Sequence, residues 1–206
     1  MDFIKNLESL FPITVYAAII LFIVKELFEF VKKTSGERRR IQAIKEILSE
    51  ELERNLWAHK VLERTVKDSI ELLEEFDNPE FGINITSTGE VRFWQNGGED
   101  SGAESSHPLP EVKQERYDSI VLELAQLDKA LFNSTRSAYD SIKELAHVRK
   151  SLIETLTETS KYNGESEDLW RGFLGYAEDE LRDIYKSMND FYTSIKGKPL
   201  TKHRLR

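Results

Sequence analysis

The residues best equipped for chemistry sit in one short segment, Arg54-Asn55-Leu56-Trp57-Ala58-His59. It places a permanent guanidinium cation five residues from a side chain that titrates near neutral pH. The same residues also have a purely structural reading. Asn55 and His59 are four apart, on the helix face that carries Leu48, Leu52, Leu62 and Val66. A buried Asn–His pair there fixes helix register through hydrogen bonds. Arg54, about 100° around the helix, is then placed to pair with Glu50 or Glu51. The other three histidines, His107, His147 and His203, complete no metal-ligand spacing, and neither H-E-x-x-H nor Gly-x-Ser-x-Gly occurs. Zinc-hydrolase and serine-hydrolase readings therefore have no support. With no Cys in 206 residues, disulfides, thiolate zinc sites and a cysteine nucleophile are ruled out. No coenzyme-type glycine loop is present, so neither a metal nor a cofactor is expected.

Charge narrows the partners. The total is −8, but residues 1–40 hold 7 basic and 5 acidic residues, leaving 22 basic against 32 acidic from position 41 on. An acidic body is a poor match for a phosphate backbone, and DNA binding is not expected. The end of the chain runs the other way. Lys196, Lys198, Lys202, Arg204 and Arg206 follow Asp190 with no further acid. This basic tail reads either as a solvated terminus or as a contact for anionic lipid or RNA.

The elements that must position these residues begin with an apolar run. Ser9 to Val24 is uncharged for 16 residues, roughly 24 Å of helix, and the 21-residue count from Phe11 to Val31 reaches a spanning length. A single transmembrane anchor over residues 1–35 is expected. The basic residues Lys25, Lys32, Lys33 and Arg38–Arg40 on its C-terminal flank, against Lys5 alone on the other, place the N-terminus outside and the rest in the cytoplasm. The expected location is the bacterial inner membrane, single-pass. Lys25, Glu26 and Glu29 form a charged stripe at its edge, an interfacial row of i,i+4 pairs or a lining turned toward a wet lumen when copies assemble.

Beyond the anchor, residues 36–195 read as a helical domain. Glu37 to Asp77 contains no Gly or Pro, and Asp77-Asn78-Pro79 closes it. Ile-Asn-Ile-Thr and Val-Arg-Phe-Trp-Gln flank Ser87-Thr88-Gly89-Glu90 as a short hairpin, followed by a Gly/Ser/acidic loop, so that 81–106 is an insertion. A second helix opens at Pro110, a turn or kink is expected at Asn133-Ser134, and Gly164 separates the third helix from a fourth. The expected fold class is all-α: an N-terminal transmembrane helix and a cytoplasmic antiparallel helical bundle with a small β-hairpin/loop insertion, ending in the basic tail 196–206.

Arg54-Asn55-x-x-x-His59 resembles the R-[N/H/Q]-x-x-x-H signature of HEPN domains, all-α bundles that often dimerise and cleave RNA. That resemblance implies Arg54, Asn55 and His59 as catalytic residues acting on a ribose 2′-hydroxyl and its leaving group. Together with the N-terminal run, the layout is similar to the small, HEPN-like, pore-forming membrane accessory proteins of CRISPR–Cas13b systems. More broadly it resembles single-span bacterial antiphage effectors, some gated by cyclic oligoadenylates. The resemblance implies an oligomeric membrane effector in antiviral defence, working with the lipid bilayer, further copies of itself, and a Cas effector, RNA or cyclic oligonucleotide signal. A membrane-tethered ribonuclease and a non-catalytic anchor or assembly subunit are the alternatives.

Overall fold

The computed structural model describes residues 13–98, 104–159 and 166–203. The first element, α1, runs from Ile13 to Glu75 as a helix of 63 residues. It passes straight through Gly36, where a Cβ would meet nothing, because one glycine costs only about 1 kcal/mol in a helix of strong formers. Asp77-Asn78-Pro79 follows its end. The chain falls into two compact units, Met1–Ile44 and Lys45–Arg206.

The expectation of a membrane anchor is corrected. Among the described residues, no helix is long and apolar enough to cross a membrane. From Ile13, 12 uncharged residues pass before Lys25 and Glu26, about 18 Å of helix against a hydrocarbon core of about 30 Å. Glu29, Lys32 and Lys33 follow within two turns. Residues Ser9 to Pro12 of the uncharged run lie outside the described residues. The single-span fold class and the single-pass inner-membrane location, N-terminus out and C-terminal domain in, are therefore withdrawn.

In the second unit, α1 from Lys45 onward pairs with the last helix. Four contacts fix the direction: Lys196 on Glu46, the Tyr192 hydroxyl on Glu53 at 2.8 Å, His59 on the Leu181 carbonyl at 2.7 Å, and Arg171 on the Leu73 carbonyl at 3.4 Å. Numbers rise on one helix as they fall on the other, so the two are antiparallel. After α1 come β1 (Glu80–Ile85), β2 (Val91–Asn96), β3 (Glu104–Pro108), α2 (Glu115–Leu127), α3 (Lys129–Thr159) and α4 (Ser166–Lys196). Helices α3 and α4 are antiparallel too, with Ser141 Oγ on Ser187 Oγ at 2.8 Å and Ser134 beside Ser194.

The expected hairpin is one part of a three-stranded antiparallel sheet, ordered β1-β2-β3. The loop expected after it instead contributes β3, where Ser105 pairs with Gln95 and His107 with Phe93. Its polar sequence carries no alternation, so only the partner strand reveals it. Gly82 lies opposite Trp94, and a Cβ on Gly82 would come within 2.5 Å of the indole ring. Gly89, at φ 81°, closes the β1–β2 turn through its N–H to the Thr86 carbonyl.

The expected break at Asn133-Ser134 falls at Asp128 instead. Its carboxylate accepts from the Leu131 N–H at 2.9 Å, capping α3, while its own N–H closes the last turn of α2. Asn133 and Ser134 continue the helix. Gly164, the expected separator of α3 and α4, lies outside the described residues. The core gathers the apolar stripes: Leu48, Leu52, Leu56 and Leu62 from α1, Tyr139, Ile142, Leu145 and Leu152 from α3, and Leu174, Leu181, Ile184 and Met188 from α4. Residue Leu200 is buried after Gly197 turns the chain at φ 68°.

Candidate functional site

Residues 50–59 of α1 show how one helix distributes neighbouring side chains to different tasks. Asn55, fully buried, grips the main chain of Lys113: its Nδ2 donates to the Lys113 carbonyl at 2.7 Å, and its Oδ1 accepts from the Lys113 N–H at 2.8 Å. One turn earlier, Glu51 is 1% exposed and holds the start of α2. Its oxygens accept from the N–H groups of Arg116 at 2.9 Å and Tyr117 at 3.1 Å, and from the Tyr139 hydroxyl at 2.7 Å. A carboxylate from a distant helix thus caps orphan amides and faces the positive end of α2. Tyr117 and Tyr139 stack at 4.1 Å over it. Burial and the nearby Glu51 charge push the Tyr139 hydroxyl far above its ordinary pKa, so it remains a donor. Glu50 pairs with Arg116 at 2.6 Å.

His59 is 1% exposed and lies between α1 and α4. A carbonyl only accepts, so Nε2 carries the proton and donates to Leu181. Nδ1 has no hydrogen-bond partner, with the nearest Glu63 oxygen 4.0 Å away. Burial pushes the imidazole pKa down, opposed by the Leu181 carbonyl and Glu63. Its exchangeable proton is therefore committed to the core. Arg54 points elsewhere, into a cleft that His59 does not line. The structure brings Asn55 and His59 onto one buried face and sends Arg54 to another.

The cleft that takes Arg54 has a volume of about 420 Å³ and lies where the β1–β2 turn, the Pro108–Glu111 segment, α1 and α3 meet. Arg54, Lys113 and Arg149 bring three cations to it, Trp57 an aromatic wall, and Glu90 and Glu111 two carboxylates. Glu111 holds Lys113 at 2.6 Å, and that bond pushes the Glu111 carboxyl below its usual range. Glu90 is taken by Arg92 at 3.2 Å. Arg149 donates through Nη2 to the Leu109 carbonyl at 3.1 Å. The Nε atoms of Arg54 and Arg149 are buried without a hydrogen-bond partner. Desolvation pulls the pKa of the half-buried Arg149 down, opposed by the Glu111 carboxylate.

The remaining candidates are more dispersed. Lys25 and Glu29 form an exposed i,i+4 pair at 3.8 Å, and Glu26 lies beside them on the same helix. In the tail, Lys196 is drawn onto Glu46. Lys198 and Lys202 are exposed, and Arg204 and Arg206 lie outside the described residues. No group of acidic or histidine side chains among the described residues is arranged to hold a metal ion.

Two residues that the sequence did not single out, Lys113 and Arg149, prove central, and Glu50 and Glu51, expected as partners of Arg54, are held instead by Arg116 and by the start of α2 with Tyr139. Lys113 and Arg149 left no local signal, since they meet Arg54 only through the fold. No protein-family model, curated protein or solved structure matches the chain.

Proposed function

We propose that this protein is a non-catalytic assembly subunit, whose N-terminal helical segment packs against further copies of the same chain. One observation carries this reading. Ile19, Ile20, Leu21, Phe22, Ile23, Val24, Leu27, Phe28, Phe30 and Val31 stand 50–71% exposed on α1. At about 100° per residue, the first six surround the helix, while the last four share a broad face opposite Lys25, Glu29, Lys32 and Lys33. A helix apolar on all sides calls for burial by several neighbours.

The exposed area favours copies of the chain as those neighbours. Ten large side chains at this exposure offer on the order of 1,000 Å² per copy, above the roughly 800 Å² per partner of a stable interface. Burial of His59 and the clamping of Asn55 support a non-catalytic bundle.

Mass photometry and sedimentation equilibrium of the full chain test this, with the Leu27→Glu/Phe30→Glu double variant as control. The wild type should form a discrete oligomer and the variant a monomer with unchanged near-UV circular dichroism. A monomeric wild type at tens of micromolar overturns the reading. So does an oligomer that survives both substitutions, or a monomer that floats with phosphatidylglycerol vesicles.

A further inference from the structure

We propose that the cleft formed by Arg54, Lys113 and Arg149 is a binding site for a small phosphate monoester carrying a planar ring, of the mononucleotide class, with the phosphate on the two guanidiniums and the ring against Trp57.

The argument begins with charge accounting. Residues 41–206 carry a clear acidic excess, and several cations of this unit lie against carboxylates: Arg64 with Asp68, Lys67 with Glu71, Arg116 with Glu50, Lys143 with Asp140, Lys150 with Glu154, Arg182 with Asp179, while exposed cations such as Lys60, Lys129, Arg136 and Lys186 are left to solvent. Arg54 and Arg149 have no carboxylate within ion-pair distance among the described residues, although acids are plentiful. Each also withholds a buried Nε–H from any acceptor. A buried donor left unsatisfied is costly and rare, and two lining one cleft are rarer still. An oxyanion arriving in the cleft would meet both guanidinium groups, whose forks fit the oxygens of a phosphate group.

The cleft's shape supplies the second half. About 420 Å³ is too large for an inorganic anion alone and falls within the range of small-ligand pockets. Trp57, Pro108 and Pro110 offer flat apolar surface beside the cations, suited to stacking a ring. Glu111 sets the selectivity. Bound to Lys113 at the rim, it competes with incoming anions and leaves the two arginines as the principal phosphate ligands. The Asn55 clamp on the Lys113 backbone holds that rim in place. This site is independent of the assembly reading, because every residue of it lies within the unit Lys45–Arg206.

Isothermal titration calorimetry on the full chain tests the site with adenosine 5′-monophosphate, inorganic phosphate and adenosine, in low salt. The nucleotide should bind with a submillimolar Kd, inorganic phosphate at least about fivefold more weakly, and adenosine at least about tenfold more weakly. Arg54→Gln, which removes no hydrogen bond within the fold, should weaken nucleotide binding about tenfold or more and leave the ligand-free unfolding midpoint in place. Glu111→Gln should strengthen it severalfold, an effect no loss of structure would produce. Equal binding of adenosine and the nucleotide would overturn the phosphate assignment. Equal binding of phosphate and the nucleotide would overturn the ring. Absence of saturable binding up to about 10 mM, or wild-type affinity in both Arg54→Gln and Arg149→Lys, would overturn the site itself.

Discussion

Glu51 is a buried charge with three donors, and its removal tests how far the start of α2 depends on α1. Glu51→Ala would leave two backbone N–H groups and the Tyr139 hydroxyl without their acceptor. The expected loss is about 3 kcal/mol by urea denaturation, against about 1 kcal/mol for Tyr139→Phe, which keeps the carboxylate on both amides. Equal losses would contradict the capping role. His59 gives a pH prediction. Its pKa is lowered in the folded state, by burial first, so the unfolded chain binds the proton more readily. The stability contribution is complete above about pH 6.5 and declines as the pH falls below it. His107 is shifted in the same direction, again by burial first, with Arg64 adding to it. Urea midpoints should drop between about pH 7 and pH 5, and His59→Gln, which keeps a donor for Leu181, should flatten that slope. An unchanged slope would mean that another group controls the acid limb.

The sheet turns on one close approach. With Trp94 ring atoms 2.5 Å from where a Gly82 Cβ would stand, Gly82→Ala must displace the indole or bend β1. The expected cost is about 1–3 kcal/mol, with a changed Trp emission spectrum. By contrast, Gly36 has open space around it within α1, and Gly36→Ala should raise far-UV helicity and stabilise that stretch by about 0.5–1 kcal/mol. A loss of helicity there would argue that the glycine is needed as a flexible joint. One glycine faces an indole across a strand pair and the other faces open space on a helix.

At the scale of the molecule, among the described residues every buried apolar residue of the core except Ile44 lies in the unit Lys45–Arg206. A fragment of residues 45–206 should therefore unfold cooperatively, within a few degrees of the full chain. If the assembly reading holds, the same fragment should be monomeric at every concentration, because it lacks Ile19–Val31. Calorimetry and sedimentation check the two halves separately. A fragment without a cooperative transition would assign part of the core's stability to the first unit.

Periodicity alone determined a good deal. Leu48, Leu52, Leu62 and Val66 recur at helical spacing and are buried, because the 3.6-residue repeat puts them on one side whatever they pack against. Asn55 and His59 share that side for the same reason. Other features needed the fold. By sequence, Lys25, Glu26 and Glu29 stand at the edge of a 21-residue span, whereas the helix described from Ile13 has only 12 uncharged residues before Lys25, too few to cross a membrane. The break at Asp128 rather than Asn133 was decided by one side-chain cap, and β3 by pairing across β2. The cleft is the clearest case. Arg54, Lys113 and Arg149 are far apart along the chain, and a cluster of cations from three segments leaves no local pattern. Only the packing of α1 against the 109–117 connection and α3 brings them together, because tertiary contacts join residues without regard to their separation in sequence.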